Sequence, residues 1–214
     1  MAAYICRLKM EDQELKIFST SVELFITYGV KSVTMDDVAR ELSISKKTLY
    51  KFVNNKNELV QKCVEFIFTQ IHTSLEDVQS KSTNAIDELF GFDEQLTLVI
   101  RAQKPAIIMQ LKKHHPETFN WLMHQRRTMV MKLTTKNLQK GIAQGYYRHD
   151  MNADFIAIIY YAQTMMFAQD DLMPDEICAN PAFVRENLIY HLRGIASAKG
   201  LQYLQQKLQN NETT

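Results

Sequence analysis

The chain has 214 residues, a formal net charge of +1, 46% hydrophobic and 23% charged residues. That balance suits one or two globular domains with a sizeable core and excludes general disorder. It also excludes a polybasic nucleic-acid coat, so any electrostatic function depends on where the charges sit.

With only 6 Gly and 4 Pro the chain is too poor in turn residues for an all-β fold. Cys6, Cys63 and Cys178 are odd in number and far apart, which excludes a CxxC zinc or redox motif and argues against a secreted disulfide framework. Met1 to Met10 lack the apolar run and small-residue cleavage site of a signal peptide. The most apolar stretch, Phe155 to Ala168, is too short for a bilayer and contains Gln163 and Thr164. The expectation is a cytoplasmic protein with no membrane partner.

Helical periodicity runs through nearly every long segment, and no strand alternation is found. Leu15, Phe18, Val22 and Phe25 predict an amphipathic helix over Asp12 to Tyr28, ended by Gly29. Thr34 before Met35-Asp36-Asp37 is a cap with acids in the first turn, opening a short helix to Leu42. Ser45 caps a second short helix, Lys46 to Phe52, and Asn54-Asn55 break it. A long helix is expected from Lys56 to Gln79, then a polar loop with a cap at Thr83 or Asn84, then a helix to Gln103. Pro105 and Pro116 start two more, the second reaching Gln144 before Gly145. Asn152 caps a helix to Gln169, residues 170–180 are expected as a loop, and Asn180-Pro181 open a helix to Lys199. Leu201 to Leu208 add a last turn or two, and residues 209–214 are expected to be a disordered tail.

The charges fall in blocks. Ser43 to Lys56 hold Lys46, Lys47, Lys51 and Lys56 with no acid. Residues 65–100 carry seven acids against Lys81, and residues 101–148 carry ten Lys and Arg against Glu117 alone. The second contrast is what neighbouring or solvated helix faces produce. The first coincides with a motif.

Asp36 to Phe52 has the layout of a helix-turn-helix. Val38, Leu42, Ile44, Leu49 and Phe52 supply its apolar side, and Ala39 is small where the helices cross. Lys46, Lys47, Thr48, Tyr50 and Lys51 are left to face outward from the helix that Ser45 caps. Such a helix enters a major groove with its N-terminal residues at the base edges, where these side chains can bond bases or phosphates.

At this point the chain resembles the TetR family of bacterial transcriptional regulators. The resemblance rests on Phe25, Tyr28-Gly29, Val33-Thr34, Asp37-Val38-Ala39, Leu42, Ile44-Ser45, Thr48-Leu49-Tyr50, Asn55-Lys56 and Glu58-Leu59, and is specific over Leu15 to Val60. It implies that Thr34 contacts a phosphate, that Lys46, Lys47 and Thr48 lie nearest the bases, that Tyr50 meets the DNA backbone and that Lys56 pairs with a phosphate. Val53, where the family usually has Phe, and Ser43, at a turn position where Gly is common, depart from it.

In the C-terminal part, Phe155, Ile156, Ile159, Tyr160, Met166 and Phe167 make one helix apolar over most of its surface, and Val184, Leu188, Leu192 and Ile195 stripe the next. A helix apolar nearly all round must be covered on all sides. The resemblance implies a homodimer in which these helices pair with their copies across a two-fold axis, as suits a palindromic DNA operator. Methionines and aromatics between the helices permit an apolar effector cavity, with Trp121, Arg126, Arg127, Tyr161 and Met165 as candidate ligand-binding residues. Arg126 and Arg127 fall on or beside the apolar face of their helix, so each needs an acid such as Asp87 or Glu88, or an anionic ligand. Lys132, Lys136 and Lys140 form a stripe expected to be solvated. The six histidines have no metal-ligand spacing, and no nucleophile elbow, phosphate loop or dinucleotide fingerprint is present. No catalytic residue, metal or cofactor is expected.

The sequence therefore predicts an all-α protein: an N-terminal three-helix domain with the helix-turn-helix (1–55), joined by a continuous helix to a helical effector-binding and dimerisation domain (56–208). The expected function is a non-enzymatic DNA-binding regulator, a repressor controlled by a small apolar or amphipathic effector. The alternative is a helical small-molecule binding protein or enzyme that keeps the motif as scaffold; an uncompensated lysine face separates the two.

Overall fold

The computed structural model describes residues 12–102, 105–166, 177 and 180–212. The described residues form ten α-helices: α1 Asp12–Tyr28, α2 Met35–Glu41, α3 Lys46–Leu49, α4 Lys56–Lys81, α5 Ala85–Ala102, α6 Pro105–His114, α7 Pro116–Ala143, α8 Ala153–Met166, α9 Pro181–Ile195 and α10 Ala198–Glu212. Their contacts divide the chain into two units, split within α4, α5–α6 and α7. The first comprises the described residues of Met1–Ser74 with Ala102–Gln125, the second those of Leu75–Arg101 with Arg126–Thr214.

The first unit is wider than residues 1–55 because α4 and α6 complete its core. The apolar face of α1 buries Ile17, Phe18, Val22 and Phe25 against Val38, Ala39 and Leu49 of the short helices. Leu59, Val60, Cys63, Val64 and Phe66 of α4 and Leu111 of α6 belong to the same cluster. Burial pushes the Cys63 thiol well above its ordinary range, so it is a packing residue and not a nucleophile. Gly29 ends α1 with φ +85°, a left-handed turn that glycine enters without a Cβ clash.

In the second unit Ile86, Leu89, Leu138, Leu188, Leu192 and Leu204 are fully buried. A polar knot sits among them. Glu88 is completely buried and accepts from Lys140 Nζ at 2.6 Å and Asn137 Nδ2 at 3.1 Å. The Tyr147 hydroxyl donates to the Ala85 carbonyl or Asn137 Oδ1, both 3.0 Å away. Lys140 is therefore not part of a solvated stripe: a buried carboxylate needs a paired cation, and Lys140 supplies it. Asp87 is taken as well, by Lys207 at 2.8 Å and the Tyr203 hydroxyl at 2.7 Å. Neither acid serves Arg126 or Arg127.

The C-terminal helices differ from the expected single run to Lys199. Tyr147 and Ala196 form an antiparallel bridge, with Arg148 N–H donating to the Ile195 carbonyl and Ser197 N–H to the Tyr146 carbonyl, both at 2.9 Å. That pairing breaks the helix after Ile195, and the Ser197 hydroxyl accepts from Gly200 N–H at 3.1 Å to start α10. The residues expected as a disordered tail continue α10 through Glu212, because Leu204 is buried and Tyr203 and Lys207 both anchor on Asp87. Residues 213–214, and nearly all of the expected 170–180 loop, lie outside the described residues.

The α8 helix has two faces. Ala157 and Tyr160 point into the unit, whereas Phe155, Ile158 and Ile159 are 65%, 53% and 51% exposed, with Ala162 continuing the row one turn on. The Leu188–Leu192–Ile195 stripe of α9 is buried within its own unit; the exposed aromatic of that helix is Tyr190. Among the described residues no helix is long and apolar enough to cross a membrane.

Candidate nucleic-acid interface

Two local devices build the motif. At α2, the Thr34 hydroxyl accepts from Asp37 N–H at 3.2 Å while the Asp37 carboxylate accepts from Thr34 N–H at 2.9 Å, a reciprocal capping box. The Thr34 hydroxyl also donates to Asp37 Oδ2 at 2.6 Å, and Arg40 pairs with the same carboxylate. These bonds, Thr34's first, hold the Asp37 carboxyl below the usual carboxylate range. The Thr34 proton is thus already committed, so a phosphate approaching here meets the cap and not a free hydroxyl.

At α3, Ser45 caps by accepting Thr48 N–H at 3.0 Å, and the Ser45 and Thr48 hydroxyls lie 2.8 Å apart. Regular helix stops at Leu49, with Tyr50 as C-cap, short of the expected Phe52. Leu49 is the one α3 side chain fully buried, so its burial orients the helix. Lys47 and Lys51 are exposed, and among the described residues neither pairs with an acid. Tyr50 is 46% exposed. Lys46 is different: its ammonium lies 2.5 Å from Asp36 of α2. The lysine face is therefore compensated at one position, by an acid that precedes the segment in which no acid was found.

Lys56 opens α4. Asn55 Oδ1 caps this helix by accepting Glu58 N–H at 2.9 Å, and Glu58 Oε2 accepts from Asn54 N–H and Nδ2, each at 2.7 Å. The Lys56 ammonium donates to the Lys31 carbonyl at 3.0 Å. Partial burial pushes it below the ordinary lysine range, against the pull of the Asp37 carboxylate. The Lys31 N–H donates in turn to Gln110 Oε1 of α6 at 3.1 Å. Sequence reasoning missed both partners; no local pattern signals a bond between residues 79 positions apart.

The structure thus brings Ser45, Lys46, Lys47, Thr48, Tyr50 and Lys51 together on and beside α3, with Thr34 and Lys56 at the starts of the helices on either side. The candidate ligand residues divide between the units. Trp121 packs edge-on against Phe68 with ring centroids 5.7 Å apart in the first unit. Arg126, Arg127, Tyr161 and Met165 belong to the second. Arg127 is exposed, and Arg126 is partly buried, its guanidinium held below the usual arginine range by desolvation and drawn back by Tyr161. Among the described residues no group of three His, Cys, Asp or Glu is placed to hold a metal.

The sequence profile of the bacterial regulatory proteins, tetR family, matches residues 17–63, the stretch from the core face of α1 to the buried Cys63 of α4. Those residues form a TetR-family DNA-binding domain. The protein is a DNA-binding transcriptional regulator of the helix-turn-helix class. A relative, the biofilm operon icaADBC HTH-type negative transcriptional regulator IcaR of Staphylococcus aureus, is 26% identical over 131 residues, 61% of this chain and 68% of its own. Two solved structures share the fold. A transcriptional regulator from Cytophaga hutchinsonii aligns with TM-score 0.68 at 14% identity, over 87% of this chain and 100% of its own. The fatty acid degradation regulator FadR of Bacillus halodurans aligns with TM-score 0.67 at 13% identity, over 86% and 97%.

Ser43, where many TetR-family sequences have glycine, sits in the turn between α2 and α3 with φ +54°. A left-handed backbone costs a residue with a Cβ roughly 1–2 kcal/mol, part of which glycine returns as unfolded-state entropy. Ser43→Gly is therefore expected to stabilise the protein by about 0.5–1 kcal/mol. Urea unfolding checks this, and an unchanged or lower midpoint contradicts the strain.

Proposed function

We propose that the protein is a cytoplasmic homodimeric repressor that binds a palindromic operator through α3 and the helix starts beside it, under control of an amphipathic effector. The observation that carries the reading is the exposure of Lys47, Tyr50 and Lys51, on and just past a helix fixed by the burial of Leu49. A scaffold retained for another purpose has no use for two free cations at that place. The similarity to a negative regulator supports repression.

Lys47 and Thr48 are assigned to bases, Tyr50, Lys51 and Lys56 to the DNA backbone, Lys46 to bases on release from Asp36, and Ser45 and Thr34 to presenting the helix ends. Lys56→Met is expected to weaken binding to every duplex alike and to lower the salt slope by about 0.9, one neutralised phosphate. Lys47→Ala is expected to lose roughly 1–3 kcal/mol of discrimination between operator and generic DNA. Salt titrations of both variants check this; unchanged binding in both contradicts the interface.

The dimer is proposed to form on the exposed face of α8, Phe155–Ile158–Ile159–Ala162, with Tyr190 of α9. Exposed apolar residues at this spacing form one continuous stripe, which a two-fold covers with its own copy. Sedimentation at micromolar concentration is expected to show a dimer for the wild type and a folded monomer for Ile159→Glu. A monomeric wild type, or a dimeric variant, contradicts this.

The effector's charge is inferred from Arg126. Desolvation of its guanidinium calls for an anion, and its two expected partners are bound by Lys140 and Lys207. Among the described residues no carboxylate pairs with it. We assign the acidic head of the effector to Arg126, beside Tyr161, with Met165 one turn on against its apolar part. Fatty acids and aromatic acids are the probes. A rise in melting temperature that is lost in Arg126→Ala is the expected result; the same response in both proteins, or none to any acid, overturns it.

A further inference from the structure

We propose that Gln110 of α6 is a positioning residue for DNA binding, holding the backbone N–H of Lys31, the residue whose carbonyl in turn fixes the Lys56 ammonium at the start of α4. The inference rests on the assignment of Lys56 to a phosphate.

Lys56 occupies the first turn of a helix, where the positive end of the helix dipole disfavours a cation. It is also partly desolvated, so its ammonium needs an acceptor if it is to stay in place. The Lys31 carbonyl, 3.0 Å away, provides one. A single bond uses one of the three ammonium protons and leaves two for a phosphate.

The carbonyl holds the lysine only as well as the turn around Lys31 is held. Lys31 lies in the turn between α1 and α2, where the Val33 N–H bond to the Gly29 carbonyl is long, at 3.4 Å. The partner of the Lys31 N–H is the Gln110 side chain, at 3.1 Å. The two bonds use opposite ends of adjoining peptide groups, so a shift of the Gln110 amide tilts the turn that presents the carbonyl.

Gln110 is built into place. Ile107, Ile108 and Leu111 pack α6 against the core of the first unit, so the backbone under Gln110 does not swing freely. On the other side the amide lies on Gly29: a Cβ there would come within 2.9 Å of Gln110 Nε2 and 3.0 Å of Oε1. The glycine thus meets two requirements at once, a left-handed turn and room for the amide. Asp37 and His115 are the other titratable groups acting on Lys56, the first attracting it and the second facing it as a base lowered by burial and by Lys56 itself.

The test is a double-mutant cycle in the full-length protein, Gln110→Met against Lys56→Met, read as affinity for a generic duplex over a salt series, with Lys31 amide exchange followed in the wild type. Methionine keeps the length of glutamine and removes the acceptor. Gln110→Met is expected to weaken binding severalfold and to lower the salt slope by part of the roughly 0.9 that Lys56→Met removes, and to have no effect once Lys56 is gone. The Lys31 amide is expected to be protected although its residue is exposed. Loss of affinity in Lys56→Met with none in Gln110→Met overturns this inference alone. Losses that add, or an unprotected Lys31 amide, overturn it too. No loss in Lys56→Met overturns the phosphate assignment beneath it.

Discussion

A helix of four residues cannot hold itself, since nucleation costs more than one turn of hydrogen bonds returns. The α3 helix exists because Leu49 is sealed into the core made by α1, α2, α4 and α6, and because the Ser45 hydroxyl accepts the Thr48 N–H. The exposed side chains on and just past it, Lys47, Tyr50 and Lys51, take their direction from that one buried leucine. This explains why the core of the first unit extends beyond the three short helices. A three-helix domain ending at residue 55 would lack Leu59, Val60 and Leu111, the side chains that close over the motif.

The same economy recurs in polar form. Each helix start near the interface is fixed by a side chain reaching a backbone group: Thr34 to Asp37, Ser45 to Thr48, Asn55 to Glu58. Such caps contribute about 1 kcal/mol each and define where a helix begins to within a residue. A groove-reading surface needs that definition, because a shift of one residue rotates every contact by about 100°. The second unit uses buried charge instead, with Glu88 and Lys140 linking α5 to α7. An ion pair of this kind adds little net stability but strongly disfavours any packing that separates its members.

What could be read from the sequence was local. Gly29, Thr34, Ser45, Asn152 and Asn180-Pro181 marked helix ends through interactions within three or four residues, and the structure has helices ending or starting at each. The lysine row of α3 was legible for the same reason. The pairs that cross the fold were not: Lys46 with Asp36, Lys140 with Glu88, Lys31 with Gln110. Periodicity showed that α8 was apolar nearly all round but could not say which face its own chain covers. It is Tyr160 that turns inward and Ile159 that does not. The helix expected to run to Lys199 was broken by a bridge to Tyr147, a residue about fifty positions earlier that leaves no trace in the local pattern.

The claim on which the account depends is that residues 34–56 are the surface that meets DNA. Hydrogen exchange of the full-length protein, with and without a duplex spanning the region upstream of its own gene, addresses it without any substitution. The account predicts new protection concentrated in the turn before α2, in α3 and at the start of α4, fading as salt is raised. Protection confined to α5–α10, or none at a DNA concentration that saturates binding, would contradict it.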